Sequence, residues 1–475
     1  MVTAGQPRNE LREAKEMYSA DANGISDFRS SYGVNIGWVR YLPQIVTDDS
    51  TPKGIERTYL TLILLQTLAA SLIWGINTLF LLDAGLSLTE AFVANAAFTA
   101  GMVIFEVPTG VVADAAGRRT SFIIGAATLL VTTAAYLGLW YIEAGVLWWV
   151  VVSALIGLGF TFFSGATEAW LVDALDATGF DGAIDTVFGK GQMVTGTATL
   201  FGTIAGGFLA QVNIAWPYAL RSIILLAVVI AAFISMHDIG FTPQKGNSVR
   251  EEVSTLLKAS IKHGLGNPPV RMFMLAAPFG MGVGIWVFYA FQPYLLELFG
   301  DPSAFYLSGI AAALFAIAQM IGGASVRWVR RHFRRRSEIV LAQVVIASVA
   351  LFGVGAAELL EIPIGFWVAI ALLAVVALAW ALSGPVQQAY INEVIPSQQR
   401  ATVLSFSSLM ASAGGVVSQP ALARVADVYS LGVGYVVAGI LYLAQFPFIF
   451  AVRRMGLDAD AVIKPLDVVP GEDLA

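Results

Sequence analysis

Cysteine is absent from this chain of 475 residues, and histidine occurs only three times. The first absence excludes disulfide scaffolds, zinc ribbons, iron–sulfur clusters and thiol nucleophiles; the second leaves too few imidazoles for a histidine metal site. No cofactor is expected. Charge is scarce as well: Asp, Glu, Lys and Arg make up 13% of the residues, about half their share in a soluble domain. With a net charge of -6 and a pI near 5.2, no basic domain supplies the surface that nucleic acid requires. The patterns H-E-x-x-H, G-x-S-x-G and the P-loop are also missing, so nothing points to an enzyme. What is abundant is apolar: 57% of the residues are hydrophobic and the mean hydropathy is +0.74, the composition of a chain solvated mostly by lipid.

Residues 1–57 are polar, mix both charge signs and contain no cleavable signal pattern, so they read as a cytoplasmic N-terminal extension. From Tyr59 on, apolar stretches of roughly 18 to 26 residues recur, each long enough to cross about 30 Å of hydrocarbon. Six fall near 59–82, 89–113, 120–141, 146–172, 187–210 and 217–236. Six more fall near 271–298, 303–326, 338–359, 364–391, 401–424 and 431–452. Residues 237–270, with Lys245, Arg250, Glu251, Glu252, Lys258 and Lys262, are too polar to insert and form a central cytoplasmic linker, helical from Ser248. The expected organisation is an all-α integral membrane protein of twelve transmembrane helices: bundles at 58–236 and 271–452, and a cytoplasmic tail at 453–475.

Orientation follows from the cations. With both termini inside, all but Arg221 and Arg424 of the 27 Lys and Arg fall in cytoplasmic segments, and those two lie near outer helix ends. The cluster Arg327, Arg330, Arg331, Arg334, Arg335 and Arg336 suits anionic head groups of membrane lipids at that boundary.

The two halves repeat. Ser164, Gly165, Glu168 and Asp173 match Ser383, Gly384, Gln387 and Asn392 at one offset of 219, so two carboxylates of the first half face two amides in the second. After the second span stands Gly110-Val111-Val112-Ala113-Asp114-Ala115-Ala116-Gly117-Arg118-Arg119. Here Asp114 ends a helix, Gly117 turns the chain, Gly110 permits close helix approach, and Arg118 and Arg119 hold the boundary. At an offset of 212 Gly322, Arg330 and Arg331 recur, while Asp114 and Gly117 become Val326 and Val329.

This loop resembles the G-x-x-x-D-x-x-G-R-R signature of the major facilitator superfamily, and the resemblance covers roughly residues 58–455. In the fifth span Gly189, Gly202, Gly206 and Gly207 match four positions of the glycine motif of that family's antiporters; Ala198 and Thr203 depart from it, Thr203 replacing the helix-bending proline. The chain is thus similar to drug-efflux members, although the fourth span, 146–172, lacks their buried Arg. The resemblance implies two bundles rocking about one central site. It also implies that Asp114 meets the start of the eleventh span, Pro396-Ser397-Gln398-Gln399-Arg400, when the inner gate shuts, with Ser397 as N-cap.

Acids at membrane depth are unfavourable by about 2.5–3.5 kcal/mol and so are candidates for proton or substrate binding. Glu106 lies about 12 Å along its helix from Asp114, and Glu168 about 7.5 Å inside Asp173. Each is open to two readings, a titrating group or an interhelical hydrogen bond. Trp170, Tyr289, Gln292 and Gln387 are candidate cavity residues, with Trp286, Phe288 and Phe291 beside them; aromatics of this kind also pack against lipid and neighbouring helices. No deep Arg or Lys cluster is evident, which argues against polyanionic substrates. The expected function is a monomeric secondary transporter in the cell membrane that exports a small lipophilic or amphipathic molecule by proton antiport. Uptake of a small organic solute by symport or uniport is the alternative. An intramembrane enzyme built on Glu106, Glu168 and Asp173, or a non-transporting receptor, are more distant readings.

Overall fold

The structure, a computed structural model, describes residues 51–243, 249–396 and 399–462, all within one unit, Asp48–Ala475. Residues 1–50 of the expected extension, the cap Ser397 and the tail beyond 462 lie outside the described residues.

The described residues form helices and no strand beyond an isolated bridge between Arg335 and Ala461. In the first half these are α1 (Pro52–Trp74), α2 (Asn77–Asp83), α3 (Leu88–Ala116), α4 (Arg118–Tyr141), α5 (Val146–Thr161), α6 (Ala166–Ala177), α7 (Ile184–Val212) and α8 (Trp216–Ser235). The linker carries α9 (Val249–Ser260), where the sequence predicts a helix. The second half holds α10 (Pro268–Phe299), α11 (Phe305–Val329), α12 (Arg336–Ala356), α13 (Ile364–Val394), α14 (Arg400–Val428), α15 (Leu431–Leu443) and α16 (Phe446–Met455).

Among the described residues, eleven helical stretches are long and apolar enough to cross a membrane, counting α5 with α6 and α15 with α16. The expected span 401–424 is present as α14, 29 residues long, but Thr402, Ser405, Ser407, Ser408 and Ser412 lower its apolar content and it is not among the eleven. Its polarity has a structural setting, for α14 packs along α3 of the other half as well as along α10. The first bundle begins six residues before the expected boundary at 58, because Thr51 accepts from Gly54 N at 3.1 Å and Pro52 occupies the first turn, where a missing N–H costs nothing.

Inside each half α1 packs on α7, α3 on α5 and α12 on α13; the halves meet along α3–α14 and α7–α11. Trp148, Phe201, Phe233, Val349 and Trp367 are each more than half exposed on the outer wall, where lipid rather than water makes such exposure favourable. In the first half the buried apolar residues form two clusters, one around Tyr59, Phe122, Trp170 and Val228, the other around Phe80, Trp149 and Tyr218. The functional cavity opens between them.

Candidate functional site

A cavity of about 300 Å³ lies among α1, α2, α3, α4, α5 and α8, with Tyr289 of α10 closing it from the second half. Ile73, Phe98, Met102, Ile156 and Phe160 supply apolar wall; Asn77, Asn95, Thr133, Tyr136, Tyr218 and Arg221 supply polar groups. Asn95, Phe98 and Met102 reach it from one face of α3 because their spacing of three and four residues follows the helical repeat.

The polar groups form two linked sets. Tyr218 donates to Asn77 Oδ1 at 2.9 Å and Asn77 Nδ2 donates to Asn95 Oδ1 at 2.9 Å, which leaves the buried Nδ2 of Asn95 without a partner. Arg221, 2% exposed, donates from Nε to Thr133 Oγ1 at 3.1 Å and from Nη1 to Ala69 O at 3.3 Å, and its guanidinium lies 6.0 Å from the Phe160 ring centre. Tyr136 and Ser153 share a hydrogen bond of 2.5 Å beside them.

One face of the protein, here the far face, is closed by hydrogen bonds between the halves. The first transmembrane segment breaks at Gly75–Ile76, which frees backbone groups that would be costly to leave unpaired in an apolar interior. Gln292, fully buried, takes them up: its Oε1 accepts from Thr78 N and its Nε2 donates to Trp74 O, both at 2.8 Å. Thr78 Oγ1 donates to Tyr289 O at 3.0 Å, Ser308 Oγ donates to Gly75 O, and Asp427 accepts from Thr89 N at 2.8 Å. Phe92 fills the apolar gap with its ring centre 6.1 Å from that of Trp286. Deeper in, Gln419 donates to Thr99 Oγ1 at 3.1 Å. Among the described residues no hydrogen bond joins the halves nearer the opposite face, which carries the loop Asp114–Arg119.

The expected site residues divide accordingly. Tyr289 lines the cavity and Gln292 closes the far face beside it. Glu106 lies one turn beyond Met102 on the same stripe of α3, about 6 Å toward the loop face. Its Oε1 accepts from Ser164 Oγ at 2.9 Å, at the break between α5 and α6 where Gly165 has φ +70°. Glu168 is exposed on the first turn of α6, and Asp173 is half-buried at the linker, its carbonyl beside Gly240. Trp170 is buried but donates from Nε1 to His237 O at 2.7 Å, holding α6 to the linker away from the cavity. Gln387 is half-buried on α13, also away from it.

The signature loop is tied to its own half. Asp114 pairs with Arg118 at 2.6 Å, and Arg400 donates to Asn392 O at 2.7 Å, holding the end of α13. Gly117 has φ +102°, and a Cβ there would run into the Asp238 carboxylate, which accepts from Arg119 N at 2.8 Å. Arg119 also donates to Phe233 O at 2.7 Å. Gly110 meets nothing within 4 Å of where its Cβ would stand. Among the fifth-span glycines, Gly202 and Gly206 face Ser71 and Leu72 of α1 too closely for a side chain, and Gly207 meets Gly309 of α11; Gly189 meets nothing within 4 Å.

One expectation needs correction. Arg221 is no boundary cation, since it lies about 7.5 Å inside the start of α8 and faces the cavity. The first half therefore does contain a deep Arg, a single one rather than a cluster. Asn77, Asn95, Thr133, Tyr136 and Tyr218 were not singled out by the sequence either. The usable signal was a lone Arg three residues after a Tyr within an otherwise apolar stretch, since intramembrane charges face a bundle interior far more often than lipid.

Against known proteins, the Major Facilitator Superfamily profile matches residues 59–419. The chain belongs to the major facilitator superfamily. A curated relative, the Bacillus subtilis (strain 168) protein named uncharacterized MFS-type transporter YxaM, is 22% identical over 386 residues, covering 80% of this chain and 91% of that one. Among solved structures, nucleoside transporter NupG is similar at a TM-score of 0.68 and 13% identity, covering 85% of this chain and 99% of that one. A POT family transporter in complex with 5-aminolevulinic acid gives 0.65 and 12%, covering 85% and 96%. A D-xylose-proton symporter gives 0.58 and 15%, covering 85% and 96%. At these identities the likeness is one of fold. This superfamily member is thus a multi-pass membrane transport protein, with the cavity between far-face closure and loop-face Glu106 as its candidate site.

Proposed function

We propose that this protein exports a small amphipathic molecule by alternating access, in exchange for protons, as a monomer in the cell membrane with the loop face cytoplasmic. The observation that carries the reading is the cavity itself: apolar walls around a few convergent polar groups, bordered by both halves, with the inter-half hydrogen bonds among the described residues on the far face. Such a cavity suits a ligand whose body is apolar and whose few polar atoms set its orientation. The concentration of Lys and Arg at the loop face supports the orientation.

Proton coupling is assigned to Glu106. It lies on the stripe that leads from the cavity toward the loop face, and its partner Ser164 sits at a helix break, so its protonation can be linked to movement there. Uptake by symport is the second reading; it is favoured by the uninterrupted α7, where Thr203 replaces the antiporter proline and returns its hydroxyl to Thr199 O at 2.9 Å.

Purified protein in proteoliposomes distinguishes these. A substrate that shows counterflow, and whose efflux from the loop side is accelerated by an opposing proton gradient, supports antiport. Acceleration only when substrate and protons move together establishes symport, and counterflow by no compound that binds rejects carriage altogether.

A further inference from the structure

We infer that the cavity is built to hold a singly charged organic anion, a carboxylate on an apolar or aromatic body, with the Arg221 guanidinium as its counter-ion. The inference rests on the carrier reading above and adds the charge of the cargo. Arg221 is almost wholly buried, and the ionisable side chains that bear on it are the phenols of Tyr136, Tyr218 and Tyr289. Among the described residues no carboxylate forms an ion pair with it. The other deeply buried arginine, Arg336, shows the contrast: it is 8% exposed and pairs with Glu393 at 2.9 Å. A buried charge without a counter-charge is strongly unfavourable, and retained ones mark functional positions.

Asn95 points the same way independently. It is 3% exposed and lines the cavity, its Oδ1 is occupied by Asn77, and the chain of bonds from Tyr218 fixes its amide so that the buried Nδ2 remains an unmatched donor. The cavity lining thus holds one cation and an amide with a spare, buried N–H, and no acid lines it. A cationic ligand would find no counter-charge. A polyanion would find only one. A monocarboxylate supplies one negative charge and acceptor oxygens, while Phe98, Met102, Ile156 and Phe160 bury its body. At about 300 Å³ the space is at the small end of ligand pockets.

The test uses thermal unfolding of the full chain in detergent with paired probes: 3-phenylpropanoate, 4-phenylbutanoate, indole-3-acetate and octanoate, each beside its primary amide. The acids are expected to raise the wild-type Tm at concentrations roughly tenfold or more below those their amides need. Arg221→Gln should abolish the acid effect without lowering the ligand-free Tm, because it removes an unpaired charge. Asn95→Asp should raise the ligand-free Tm and abolish acid binding, since it supplies the counter-ion from the protein. Amides that bind as well as acids, an acid effect that survives Arg221→Gln, or no response to any acid would overturn the inference. Equal binding of acids and amides, with counterflow, would leave the carrier reading standing. Acid binding without counterflow would overturn the carrier reading and leave the anion site.

Discussion

The two halves share a frame at the loop face and part company at the cavity. After α8 the chain returns Asp238 to the start of α4, and after α16 it returns Asp460 to the start of α12, where Ser337 N and Oγ donate to it at 2.8 and 2.6 Å. Deeper in, the resemblance fails. At the offset of 212 that superposes the signature loops, Asn95 falls on Leu307 and Glu106 on Ala318. The fourth segment breaks at Gly165, which lets Ser164 reach Glu106; its counterpart α13 runs unbroken, and Ser383 donates to Trp380 O of its own helix at 3.1 Å. A void in the second half, lined by Phe291, Leu295, Ala311 and Phe315, measures about 20 Å³. The halves thus share the returning aspartates, while the cavity's polar groups come from the first half, with Tyr289 added from the second.

The largest expected effect comes from wedging the halves apart. Gly309 lies against Thr203 O and the Gly207 Cα at 2.6 and 2.7 Å from where its Cβ would stand, so Gly309→Leu should lower stability by about 3 kcal/mol, read by thermal unfolding. Gly189→Ala should stay within about 0.5 kcal/mol. An equal loss at both positions would show that the glycines of α7 and α11 do not act through packing between helices.

Next come the two returning aspartates. Asp460 is buried and makes two hydrogen bonds, so Asp460→Ala should cost about 2 kcal/mol. Exposed Asp238, capping one N–H, should cost about 1 kcal/mol as Asp238→Ala. Reversal of that order, measured by unfolding in detergent, would break the comparison drawn between the two caps.

Glu106→Gln should reduce proton-driven flux about tenfold or more while leaving substrate exchange intact, as expected when a proton-carrying side chain is lost. Glu168→Gln, at an exposed position, should change flux less than about twofold. Full driven flux in Glu106→Gln would remove proton coupling from this residue, and loss in Glu168→Gln would move it to α6.

The smallest effect is at the signature loop. Asp114→Asn breaks a half-buried i,i+4 pair worth about 0.3–0.5 kcal/mol in this state. If Asp114 meets α14 when the loop face shuts, the substitution should shift the population toward the open loop face. Cysteine labelling near Gln399 should then rise and near Asp301 fall, and unchanged labelling at both would reject the gating role.

Much of the fold was legible because it depends on quantities that are local along the chain. Apolar run length fixed where helices insert, and the loop Gly110–Arg119 carried the family. Glycines at Gly202, Gly206 and Gly207 pointed to close helix packing for the same reason, since a missing side chain is visible without knowing the neighbour. Tyr289, which lines the cavity, and Gln292, which instead bonds the broken first segment, stood out because a polar side chain in a long apolar helix is conspicuous. The same criterion chose Trp170, which packs instead against the linker, and it passed over Arg221, whose position near a helix end suited a boundary cation equally well. Only tertiary structure decided these cases. Whether a lone polar group faces lipid, caps a broken helix as Gln292 does, or lines a cavity as Arg221 and Asn95 do depends on the rotation of its helix and on what five other helices bring beside it. Hydropathy and charge are summed along one chain segment, whereas desolvation and pairing are set by neighbours 141 to 338 residues away, as the bonds from Tyr218 to Asn77 and from Thr89 to Asp427 demonstrate.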